Sequence, residues 1–253
     1  MAVDTILVLL GIGVFGGVWN AIAGGATLFT FPALMAAGLP PVVANATNYL
    51  ALLPSNAAAL PAYRQELKGV GKAIWPLLVI SGIGAIIGSL LLMISDPQFF
   101  VVLIPFLILF ATGLFTFGEP LRRSLLSIAG DSKGNKVIYL ALLLSSIYGG
   151  YFGAGLGIIL LAISQILGFS DFHTANSIKN LLATSFTILS IIIFGIGGLI
   201  AWPEAATMMA GSTLGGFLGG RYAKRVNDRH LRFVVIAFGV ILSGVYFIRT
   251  FGP

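Results

Sequence analysis

Eight long apolar blocks fill this chain and leave almost no charged surface between them. They run roughly over 5–37, 42–62, 73–94, 99–118, 137–168, 174–200, 203–220 and 231–250. Fourteen Lys and Arg and eight Asp and Glu make up 9% of the 253 residues, against about a quarter in an average soluble domain. So few charges cannot cover a water-facing globule, and 58% hydrophobic residues exclude a disordered chain. The fold class is therefore an all-α polytopic membrane protein. At about 20 apolar residues per helical span, there is room for roughly eight to ten passes.

Several chemistries drop out at once. The chain has no Cys, which removes disulfides, thiolate metal sites and Cys nucleophiles. Its two His, His173 and His230, are too far apart for a local metal motif. No metal and no cofactor are expected. A net charge of +6 reads as basic residues gathered in cytoplasmic loops rather than as a nucleic-acid surface. Only Asp4 is charged ahead of the first block, so the basic region of a secretory signal is missing, and residues 5 onward read as a retained membrane segment.

The basic residues also orient the spans. Arg64, Lys68 and Lys72 place 63–72 in the cytoplasm, Arg122, Arg123, Lys133 and Lys136 do so for 119–136, and Arg221, Lys224, Arg225, Arg229 and Arg232 for 221–232. The loops at 38–41, 95–98 and 201–204 lack Lys and Arg and fall outside. For these votes to agree, blocks 5–37 and 137–168 must each enter and return on the same side. Both are interrupted by glycine, at Gly16-Gly17 and Gly24-Gly25 in the first and from Gly149 to Gly157 in the second. Such hairpins are tolerated in a bilayer only when buried in protein or lining a water-filled cavity.

The two halves match at a shift of about 131 residues. Ala44-Asn45-Ala46-Thr47-Asn48 parallels Ala175-Asn176-Ser177-Ile178-Lys179, and Trp75-Pro76 with Gly84 and Gly88 parallels Trp202-Pro203 with Gly211 and Gly215. Equivalent loops carry opposite charge, which implies two inverted-topology repeats, each a Gly-broken hairpin followed by three transmembrane helices. The repeats span 1–118 and 137–253, joined by a cytoplasmic linker at 119–136. This is a secondary-transporter design with its site near the midplane. Gly84, Gly88, Gly211 and Gly215 read as helix packing, and Trp75 and Trp202 as interfacial anchors.

Polar residues collect on two equivalent helices. Asn45, Asn48 and Ser55 share one face, with Thr47 beside them. Asn176, Lys179, Asn180, Thr187 and Ser190 form the matching stripe. Lys179 is the single charged side chain between Asp171 and Glu204. A cation at a helix centre costs about 2.5–3.5 kcal/mol on insertion scales, so it reads as a counter-charge for an anion, with snorkelling or a structural ion pair to Asp171 as the alternatives. The bends at Gly24-Gly25-Ala26-Thr27 and Gly153-Ala154-Gly155-Leu156-Gly157 would expose backbone N–H groups at half-helix N-termini, which attract anions.

The run from Gly16 to Gly25, then Phe31-Pro32-Ala33-Leu34, then Gly38 to Asn48, resembles the sulfite exporter TauE/SafE family, also known as the 4-toluene sulfonate uptake permease superfamily. Gly153 to Gly157 and Ala175 to Asn180 are similar to its second repeat. The resemblance implies a multi-pass transporter of the bacterial inner membrane for a small sulfur-containing anion, such as sulfite, sulfoacetate or another organosulfonate. By position it carries the site over to Asn45, Thr47, Asn48, Asn176, Lys179 and Asn180, with Gly24, Gly25 and Gly155 at the hairpin tips. Ala26 departs from the glycine triplet common in the family. An anion channel and a membrane-embedded enzyme remain the rival readings. The expected partners are the anion and the lipid bilayer, with no nucleic acid; a homodimer is left open.

Overall fold

The structure is a computed structural model that describes residues 2–22, 25–57, 60, 64–129, 135–169, 171–222 and 228–252. Among them the chain is helical, with no strand. The helices are α1 (Val3–Ile22), α2 (Thr27–Ala36), α3 (Pro41–Ala57), α4 (Arg64–Val70), α5 (Ile74–Ile94), α6 (Pro97–Ala129), α7 (Asn135–Tyr151), α8 (Leu156–Ile166), α9 (Phe172–Ile196), α10 (Trp202–Tyr222) and α11 (Asp228–Phe251). Among the described residues, five stretches are long and apolar enough to cross a membrane: Val3–Asn20, Arg64–Ile94, Pro97–Pro120, His173–Ile196 and Phe233–Phe251. Thr27–Ala36, Lys136–Tyr151 and Leu156–Ile166 are apolar but shorter. Large apolar side chains such as Leu7, Val79, Phe106, Leu144, Phe217 and Val240 stand exposed on the surface, a surface that suits hydrocarbon and not water.

Both long blocks divide where glycine interrupts them. Block 5–37 becomes α1 and α2, block 137–168 becomes α7 and α8, and the two helices of each pair touch. Gly25 has φ +81°, Gly153 +74° and Gly155 +75°. A residue with a Cβ rarely takes these values, so the chain leaves the helix there. Gly24 lies outside the described residues. Aromatic rings fill the space around the breaks. Phe31 of α2 meets Phe152 at a centroid distance of 5.5 Å, and both are buried. On the first hairpin, Phe29 of α2 packs edge-on to Phe15 of α1 at 5.1 Å.

Two basic segments are more ordered than loops. Residues 64–70 form α4, and α6 continues through 119–129, into the expected linker. Arg, Gln, Glu, Leu and Lys all favour helix, so positive charge does not end a helix here. Within α6, Arg123 Nε donates to Glu119 Oε1 at 3.0 Å, one turn back.

The tightest packing joins the two halves of the chain. α1 lies along α10, and α5 along α7. Glycines line both seams. A methyl group at Gly84 would stand 2.8 Å from the Leu143 carbonyl oxygen, and one at Gly215 would stand 2.7 Å from the Val14 carbonyl carbon. In hydrocarbon no hydrophobic force drives helices together, so close backbone approach supplies the attraction. α3 touches both α9 and α10, α9 touches α5, α6 touches α8 and α11, and α2 touches α11.

These seams make a stability prediction. Gly215→Ala and Gly84→Ala should each lose about 1–3 kcal/mol through overpacking, read as a lower unfolding temperature in detergent. Gly113→Ala, with nothing within 4 Å of its added methyl, should be neutral or slightly stabilising. Equal effects at all three positions would contradict the seam assignment.

Candidate functional site

α3 begins with Pro41 at its first position, where a missing N–H costs nothing. It carries Asn45, Thr47, Asn48 and Tyr49, all buried. These four point to three different places. Asn45 Nδ2 donates to the Tyr151 carbonyl at 2.8 Å. The Tyr49 hydroxyl donates to the Gly149 carbonyl. Asn48 Nδ2 reaches the Thr27 hydroxyl at 3.2 Å, in the first turn of α2. Thr47 faces away and accepts from the Ala201 N–H at 3.0 Å, holding the link between α9 and α10.

The second break is thus held from α3 and from its own helix. Tyr148 completes the set by donating to the Ala154 carbonyl at 2.6 Å. After Gly155, α8 starts at Leu156, whose N–H reaches the Gly153 carbonyl at 3.3 Å, while the Ile158 N–H reaches the Gly155 carbonyl at 3.1 Å. Gly157 in this turn is exposed. Gly155 itself is buried against α6, where an added Cβ would lie 3.4 Å from the Ala111 carbonyl oxygen. Gly25 packs similarly, with the place of a Cβ 2.7 Å from Cε2 of Phe115.

α9 faces the second break with a more open surface. Asn176, Lys179 and Asn180 are half-buried. Lys179 Cδ lies 3.7 Å from where a Gly157 Cβ would stand, so its stem runs along the first turn of α8. Among the described residues, none pairs with the Lys179 ammonium. Asp171, the alternative ion-pair partner, caps α9 instead: its Oδ2 accepts from the Thr174 N–H at 2.8 Å and the Thr174 hydroxyl at 2.9 Å. These bonds, the backbone one first, hold the Asp171 carboxyl below its usual range.

The fold therefore brings Asn45, Lys179 and Gly155 to the second break and Asn48 to the first. Thr47 is turned elsewhere. Tyr49 and Tyr148 are additions that sequence reasoning passed over. Tyr49 stands at i+4 from Asn45, on the same stripe, and that spacing was the available signal. Asn20, at the end of α1, donates to Ser55 Oγ at 2.8 Å and ties α1 to α3.

Comparison with known proteins follows this geometry. The family model described as Sulfite exporter TauE/SafE matches residues 9–247. A "Probable membrane transporter protein" of Haemophilus influenzae is 32% identical over 250 residues, covering 96% of this chain and 94% of that protein. The "Probable membrane transporter protein YfcA" of Escherichia coli K12 is 28% identical over 243 residues, covering 93% and 87%. "Probable membrane transporter protein ORF9" from a Sinorhizobium species is 27% identical over 230 residues, covering 90% and 86%. No solved structure matches the chain.

Two outcomes are expected from these contacts. Thr47→Val should cost about 1 kcal/mol of stability by unpairing the Ala201 N–H, measured by unfolding in detergent. The Asp171 cap carries a lowered carboxyl pKa, so its contribution is present above the unfolded value of about 3.9 and fades as pH falls through the folded one. Asp171→Asn should therefore flatten the acid loss of thermal stability; an unchanged acid slope would count against the cap.

Proposed function

We propose that this chain, which belongs to the sulfite exporter TauE/SafE family, is a secondary transporter of the bacterial inner membrane that moves a small sulfur-containing anion by alternating access. Membership of a membrane transporter family, with relatives named as membrane transporters over nearly the whole length, supports the coarse reading. One observation carries the finer one. Lys179 lies beside the first turn of α8, where the helix dipole is also positive. A cation and a helix N-terminus repel unless an anion sits between them. Sulfite and sulfonates present three oxygens, which suits an ammonium beside the positive end of a helix.

The two-repeat reading is supported by the packing pattern. Pairing α1 with α7, α2 with α8, α3 with α9, α5 with α10 and α6 with α11 turns the α1–α10 seam into the α7–α5 seam. The same exchange turns the α3–α10 contact into the α9–α5 contact. Trp75 and Trp202 open equivalent helices and are both exposed. Together with the opposite charges of equivalent loops, this favours inverted repeats rocking about a shared site.

The test has two arms. Lys179→Met keeps the length and removes the charge, and should weaken calorimetric binding of sulfite and ethanesulfonate by about tenfold to a hundredfold. Unchanged affinity sinks the counter-charge role. In proteoliposomes the flux should saturate and accelerate with substrate on the far side, whereas non-saturating flux would favour a channel.

A further inference from the structure

We infer that the transported anion also brings a hydrogen-bond donor, which the buried amide oxygen of Asn45 accepts. This rests on the transport reading above and narrows its substrate class.

The inference comes from accounting for donors and acceptors. Asn45 is fully buried, and its Nδ2 donates to the Tyr151 carbonyl at 2.8 Å. A carbonyl oxygen can only accept, so this contact settles which way the amide faces. Its Oδ1 must point elsewhere, and that oxygen is buried without a donor among the described residues. Asn48, one turn further along α3, differs: its amide meets the Thr27 hydroxyl at 3.2 Å, which can donate as well as accept and so can serve either end of that amide. A fully buried acceptor with no donor is unusual in a folded interior.

A bare anion cannot relieve it, because its oxygens are acceptors too. The anionic end belongs instead at Lys179 and Gly157, at the far end of the same break that Asn45 touches at Tyr151. A ligand that satisfies both ends is bipolar: an anionic sulfur group at one end and a hydroxyl or ammonium at the other. Hydroxy- and aminoalkanesulfonates meet this demand, and hydrogensulfite does so with its single proton. Plain alkanesulfonates and the sulfite dianion do not. Sites with buried acceptors discriminate strongly against analogues that lack the donor.

The test compares calorimetric binding of hydroxyethanesulfonate and propanesulfonate, which have the same charge and differ by a hydroxyl replaced with a methyl. In the unmodified protein the hydroxyl compound should bind at least about tenfold more tightly. In Asn45→Leu that ratio should shrink toward one while propanesulfonate binding persists. Asn45→Ala is the second variant, with the same expectation, should the first not fold. Equal affinities in the unmodified protein would overturn the inference, with ordered water then serving the Asn45 oxygen, and would leave the role of Lys179 standing. A ratio that survives in both variants would overturn it as well. Binding of neither compound would overturn the transport reading and this inference with it.

Discussion

Interrupting a helix inside an apolar surrounding strands backbone carbonyls that water cannot reach, and each must find a donor within the protein. The rest of this fold answers that demand. At the second break, the carbonyls of Gly149, Tyr151 and Ala154 receive donors from Tyr49, Asn45 and Tyr148. Two of these three donors come from α3, in the other half of the chain. The first break is contacted by α3 as well, through Asn48 and Thr27. A single helix thus serves both interruptions, and the candidate site gathers around it because its polar atoms are already committed there.

The halves are held together by shape more than by polar bonds. Glycines let α1 settle on α10 and α5 on α7 until backbones touch. Polar links cross beside these seams, with Ser212 donating to the Ala51 carbonyl and Ser89 to Ser190 at 2.8 Å. Both of these hydroxyls find their partners inside the bundle, and the outer faces carry apolar side chains. An anion entering such an interior meets few fixed charges, so the single cation on α9 gains influence over where it can rest.

Much of the local structure was legible in the residues. Helix breaks were signalled by glycine clusters, and Gly25, Gly153 and Gly155 take the left-handed conformation that only glycine adopts readily. The close seams were signalled by Gly84, Gly88, Gly211 and Gly215 at helical spacing. Direction was harder. Thr47 and Asn48 are neighbours in sequence, yet one residue along a helix turns the side chain by about 100°, so Thr47 reaches Ala201 and Asn48 reaches Thr27. Tyr49 was missed because an aromatic in an apolar helix looks like packing until its hydroxyl partner is known. The linker at 119–136 read as a loop from its charges, although those residues propagate α6 as far as Ala129.

The sequence by itself determined that this chain lives in a membrane, where its helices break and which helices carry polar stripes. Composition, periodicity and glycine's missing Cβ act locally, so they can be read locally. Only the tertiary structure decided which stripe residues serve the fold and which have atoms to spare. It turned Thr47 to a neighbouring loop, spent the amide nitrogen of Asn45 on Tyr151 and left its oxygen unpaired, and laid Lys179 along the first turn of α8. Those outcomes depend on partners more than a hundred residues away for Asn45 and Thr47, and no local pattern encodes the partner of a hydrogen bond made across the bundle.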